Sequence, residues 1–152
     1  MKVGQRFFND IAGTNKSYVL VCSTPIGFPL QMFLHTYIVA IQGGEIHRYE
    51  VFKKWGERVP ESGCVYEDLF PAWKGNRIFV SILEKIFGTK RWSCTLHAQF
   101  EIDVPNIEHI HLRYAHRHQY KYLSPNSNTY TSWLLKEMDL VYRLPFWAWG
   151  AR

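Results

Sequence analysis

Apolar and polar positions follow two periods along this chain, and each period marks a different kind of element. Residues 17–22, SYVLVC, are β-branched and apolar and end at Ser23-Thr24-Pro25, with Gly27 and Pro29 close behind. That is the pattern of a short buried strand stopped by turn-forming residues. Two longer strand-like runs, Gln31 to Gln42 and Glu45 to Lys54, flank Gly43-Gly44 and predict a β-hairpin.

The register of that hairpin decides where its histidines point. A plain two-residue turn sets His47 opposite Ala40 and His35 opposite Phe52, which puts the two rings on opposite faces of the sheet. Phe33, His35, Tyr37, Val39 and Ile41 form one apolar face, and His47, Tyr49 and Val51 form another that should meet it. Those sets coincide only if the register slips by one. A bulge at Gly43 or Gly44, where glycine supplies the left-handed conformation, is therefore expected.

Residues 55–76 carry Trp55, Gly56, Pro60, Gly63, Pro71 and Gly75 without a sustained period and read as a long surface connection. Asn76 then caps a helix whose stripe is Ile78, Phe79, Ile82, Leu83, Ile86 and Phe87, with Gly88 as its stop. From Thr89 to Val104 the pattern is ambiguous, although Cys94, Leu96, Ala98 and Phe100 alternate as a strand would. Pro105 starts a helical spacing at Ile107, Ile110, His111 and Tyr114, and Gln119 to Leu123 reads as a short strand. A final helix follows Ser124-Pro125, with Tyr130, Trp133, Leu134 and Met138 along one side, and stops before Leu144-Pro145.

No repeat, low-complexity tract or linker divides these elements, so residues 1–152 are read as one α+β domain with a central antiparallel sheet and packed helices. A chain of 152 residues with 47% apolar content can bury roughly two thirds of its unfolded surface. The formal charge of +5 is spread over eighteen Lys and Arg from Lys2 to Arg152 and makes a nucleic-acid partner a minor reading. Three cysteines without C-x-x-C spacing give neither a disulfide framework nor a zinc knuckle. With no secretory signal and no apolar run of spanning length, a cytoplasmic location is expected and no membrane span.

Candidate chemistry concentrates at Ser124-Pro125-Asn126-Ser127-Asn128-Thr129, where small polar side chains surround a helix start. One cap needs one residue, and the surplus lies where the helix dipole favours an anion or a developing oxyanion. His109, His111, His116 and His118 lack the Asp or Cys that would complete a metal set, so no metal and no cofactor is expected. Arg113, Arg117 and Lys121 with Tyr114, Tyr120 and Tyr122 can stack and neutralise single-stranded nucleic acid, yet match no recognised motif.

The run Pro125-Asn126-Ser127-Asn128-Thr129-Tyr130, with Arg143-Leu144-Pro145, Ala148-Trp149-Gly150 and Arg48-Tyr49-Glu50-Val51, resembles a bacterial family of unknown function recognised by its Pro-Asn-Ser-Asn-Thr-aromatic signature. A wider resemblance is to circularly permuted papain-like proteins of the NlpC and lecithin-retinol-acyltransferase type. In those, a histidine on one strand and a second polar residue on the next precede a nucleophilic cysteine that opens a helix. By that resemblance the architecture is papain-like, Ser127 stands at the nucleophile position, His35 is the base and His47 orients it. Asn126, Asn128 and Thr129 are then the ligand-binding or oxyanion groups, and the substrate is a small-molecule, peptide or lipid-like acyl compound carrying an amide, ester or thioester.

Serine stands where those relatives have cysteine. A hydroxyl needs a well-aligned base where a thiol is already partly ionised. The rival reading is accordingly a non-catalytic binding module that keeps the same cleft, and a third is a basic, aromatic nucleic-acid binder.

Overall fold

The computed structural model describes residues 1–25, 34–53, 56–75, 94–103, 107–121, 123–148 and 150. The helix expected over 76–88 lies outside them. Six strands form one sheet: β1 (Lys2–Val3), β2 (Tyr18–Pro25), β3 (Leu34–Gln42), β4 (Glu45–Val51), β5 (Val65–Glu67) and β6 (Cys94–Glu101). Their order is β1-β6-β2-β3-β4-β5, and every neighbouring pair is antiparallel. With helices α1 (Gln5–Ala12), α2 (Ile107–Leu112) and α3 (Ser127–Glu137), the class is mixed α+β.

The sheet is buried on both faces. Val19, Val21, Ile38, Ala40, Tyr49 and Val51 pack against Tyr130, Leu134 and Leu135 of α3. Leu20, Cys22, Tyr37, Val39 and Ile41 pack against Phe8 of α1 and Ala72 on the other side. Successive strand residues point to opposite faces, so the continuous apolar runs of β2 and β3 are what two buried faces require.

That double burial explains why alternation misled the register. Ala40 pairs with His47 and Gln42 with Glu45, leaving Gly43-Gly44 as a plain two-residue turn. Both glycines have positive φ, 61° and 85°, the conformation that a twist-compatible hairpin turn demands at both central positions. The expected bulge at Gly43 or Gly44 is absent, because β3 carries apolar residues on both faces and the pattern cannot select between registers. The sheet's irregularity lies instead between β2 and β6, where pairing steps from Val21–Ala98 to Cys22–Leu96 and His97 is the extra residue.

Other expectations shift for local reasons. Ser23 and Thr24 continue β2 because they pair with Thr36 and His35. The alternation through Cys94 and Phe100 is a full strand, β6, between β1 and β2. Residues 119–121 and 123 form no strand; a turn closes there, with Lys121 N donating to Pro125 O at 2.8 Å. The connection over 56–75 contains β5, and α1 has no counterpart in the sequence reading. No helix among the described residues is long and apolar enough to cross a membrane.

Candidate functional site

The helix entrance is built from the inside outward. Asn126 is extended (φ −145°, ψ −169°) and its side chain accepts from the N–H groups of Asn128 and Thr129 at 3.0 and 3.1 Å. Thr129 Oγ1 accepts in return from Asn126 N at 3.3 Å, completing a capping box. The second face of the Asn126 amide donates to Leu123 O at 3.1 Å. Asn128 points into the sheet, where its Oδ1 accepts from both the N–H and the hydroxyl of Thr36, at 3.1 and 2.8 Å.

Gly150 closes over this entrance. Thr129 donates its hydroxyl to Gly150 O. Gly150 has φ +84°, and a Cβ there would overlap Leu123 O and the Asn126 amide. Glycine is therefore required at that position of the Ala-Trp-Gly motif on two counts, conformation and space. Ser127 is the first residue of α3 and is buried.

The expected trio does not converge. Thr36 meets Asn128 on the α3 face of the sheet, so His35, its neighbour in the strand, faces the α1 side. His47 lies opposite Ala40, which is an odd number of residues from His35 along β3, and shares the α3 face of Ala40. His35 and His47 are thus on opposite faces and Ser127 is not within a cleft shared by both. The one-residue slip that would have joined them is what the register excludes.

Each histidine has its own carboxylates. His35 is buried with Nε2 2.7 Å from Glu50 Oε2, and the same oxygen accepts from Arg48 Nη2 at 2.8 Å. Arg48 is itself fully buried, stacked 3.6 Å above the Tyr37 ring and donating to the carbonyls of Pro71 and Lys74. Burial alone would raise the Glu50 pKa, but the His35 hydrogen bond and the Arg48 charge outweigh it and hold the carboxyl below its usual range. Strand periodicity contained this signal, since Arg48 and Glu50 sit two apart on one face of a strand with an apolar setting.

His47 stands at the open edge among Glu45, Glu67 and Asp68. Partial burial works to lower its pKa, and hydrogen bonds to Asp68 and Glu45 overcome it and raise the imidazole above its ordinary value. The 109–118 histidines do not gather: His111 is buried with Nδ1 2.6 Å from the Tyr130 hydroxyl, and His118 Nε2 accepts from Arg117 Nε at 2.9 Å. Tyr114 is buried against Tyr130 and Trp133. All three cysteines are free and buried. Hydrogen bonding with Cys22 and Tyr37, together with the Arg48 charge, lowers the Cys94 thiol pKa against the opposing effect of burial.

Beside the entrance runs a cavity of about 1050 Å³ between α3 and residues 139–148 with Gly150, lined among others by Leu123, Leu135, Lys136, Arg143 and Phe146. Leu144 and Ala148 dock inward, whereas Leu123, Val141, Phe146 and Trp147 stay exposed. Sequence reasoning missed this groove because it is formed by segments that meet only in the folded chain.

The model of a family described as a protein of unknown function (DUF3750) matches residues 17–152, and the chain belongs to that family. No curated protein and no solved structure gives a match.

Proposed function

We propose that this protein is a non-catalytic binding module that retains a papain-like placement of its helix, and that the groove between α3 and residues 139–148 receives an amphipathic, acyl-type ligand. The observation that carries this is the disposition of the entrance. Asn126, Asn128 and Thr129 spend their hydrogen bonds on the cap, on Thr36 and on Gly150, while His35 is turned to the opposite face and bonded to Glu50. A serine at the nucleophile position without a base in line is a structural residue.

The groove supplies what the entrance lacks. Its size is at the upper end of ordinary ligand pockets, which run to about 1,000 Å³. Lys136 and Arg143 on its wall outnumber the single carboxylate of Asp139, which suits a ligand with an anionic head. Leu123, Val141 and Phe146 along the same wall are exposed apolar side chains that an acyl chain would cover.

Calorimetric titration of the full chain with oleate below its micellar concentration tests the reading. One-to-one binding is expected, weakened about tenfold, or ~1.4 kcal/mol, by Arg143→Glu and by Val141→Asp. Absence of binding, or binding indifferent to both variants, overturns it. So does labelling of Ser127 by a serine-reactive phosphonate that depends on His35.

A further inference from the structure

The corner where β4 meets β5 gathers donor atoms that belong to neither the entrance nor the groove. His47 Nδ1 lies 2.9 Å from Asp68 Oδ2 and 3.2 Å from Glu67 Oε1, and the three residues offer ligand atoms that all fall within 4.8 Å of one another. We infer that His47, Glu67 and Asp68 form a binding site for a divalent first-row transition ion such as Zn(II) or Mn(II), with water completing the coordination.

The spacing fits an ion at the centre. Ligands bound at about 2.1 Å stand about 3.0 Å apart along an octahedral edge and about 3.4 Å along a tetrahedral one. The two nitrogen-to-oxygen distances fall on that scale. An imidazole nitrogen with two carboxylates selects a transition ion over calcium, which prefers an all-oxygen shell.

Bonds from outside the ligand set hold each ligand in place. Asp68 Oδ1 accepts from Arg48 N at 2.6 Å, which leaves Oδ2 directed at His47. Asp68 N donates to Arg48 O at 2.8 Å, and the residue adopts φ 52°. Tyr49 donates its hydroxyl to Glu67 Oε1 at 2.9 Å. On the far side of the ring Glu45 Oε2 lies 3.4 Å from His47 Nε2, the carboxylate–histidine pairing that fixes the tautomer of a ligating imidazole.

Charge and access agree. Three carboxylates face one imidazole, so even a protonated ring leaves an excess of negative charge that a divalent ion would neutralise. The side chains of His47, Glu67 and Asp68 retain 38%, 34% and 47% exposure, enough for an ion to enter without opening the fold. Metal binding at Nδ1 displaces any proton held between that nitrogen and the carboxylates.

Titration of the full chain with ZnCl2 and with MnCl2 near neutral pH, followed by calorimetry, tests the site. One ion per chain is expected with at least one of the two metals. His47→Ala and Asp68→Asn each weaken that binding by tenfold or more, with circular dichroism unchanged, while His116→Ala and His118→Ala retain it. In the wild-type chain the His47 imidazole resonances shift or broaden on addition of the ion, a readout that needs no variant. The inference fails if neither metal binds one-to-one with Kd below about 1 mM, if His47→Ala binds as well as wild type, or if another histidine responds instead.

Discussion

The helix entrance at Asn126 and the strand corner at His47 are both dense in polar side chains, and they use them in opposite ways. At the entrance, donors and acceptors balance: the Asn126 oxygen meets two N–H groups, the Asn128 oxygen meets Thr36, and Thr129 both accepts from the cap and donates to Gly150. At the corner, Glu45, Glu67 and Asp68 crowd one imidazole. Polar density alone therefore does not mark a site. The imbalance between acceptors and donors does, because a balanced set has already satisfied itself.

The same contrast separates two histidines on the α3 side of the sheet. His111, beneath the entrance, is pushed down to about 4 by burial, whereas the carboxylates around His47 raise it. For His111 the unfolded chain binds the proton more tightly, so stability contributed by the neutral ring is complete above the unfolded pKa near 6.5 and is lost as pH falls from there toward about 4. The loss reaches up to about 3 kcal/mol, the largest effect expected, read from urea unfolding at stepped pH and flattened in His111→Asn. For His47 the sign reverses: its contribution is present below pH 6.5 and lost as pH rises through its higher folded value. The groups that face it are Glu45, Glu67 and Asp68, with Tyr49 bonded to Glu67.

Gly150→Ala is expected to cost about 1–3 kcal/mol, since it combines a left-handed φ with overlap onto Leu123 O. Chemical denaturation would show it, and a neutral result would mean Gly150 does not close the entrance. Removing the cap by Asn126→Ala should cost about 1 kcal/mol, and Ser127→Ala less than that; the reverse order would contradict the assignment of the cap to Asn126. His47→Ala should change stability by under about 1 kcal/mol, as partly exposed ion pairs do. A larger loss would make the corner a structural clasp rather than an open site.

Some of this was legible in single residues and some was not. Asn126 announced a helix start and Gly43-Gly44 a hairpin, and the ambiguous stretch from Cys94 was compatible with a strand, because caps, turns and side-chain periods are set by neighbours along the chain. The strand-like run from Gln31 to Gln42 contains β3, yet its alternation predicts the wrong register. With Tyr37 and Val39 buried on one face and Ile38 and Ala40 on the other, no polar face remained to fix the slip. Asp68 carried no sequence signal at all, since it reaches His47 only through the pairing of β4 with β5.

By itself the sequence determined the local elements, the polar cap of the last helix and membership of a family of unknown function. Tertiary structure alone decided which face each histidine takes, which polar groups are already bonded, and where acceptors are left in excess. The physical reason is range: hydrogen-bonded caps and turns close within a few residues, whereas burial and charge balance depend on partners farther along the chain, such as His35 with Glu50 and Thr36 with Asn128.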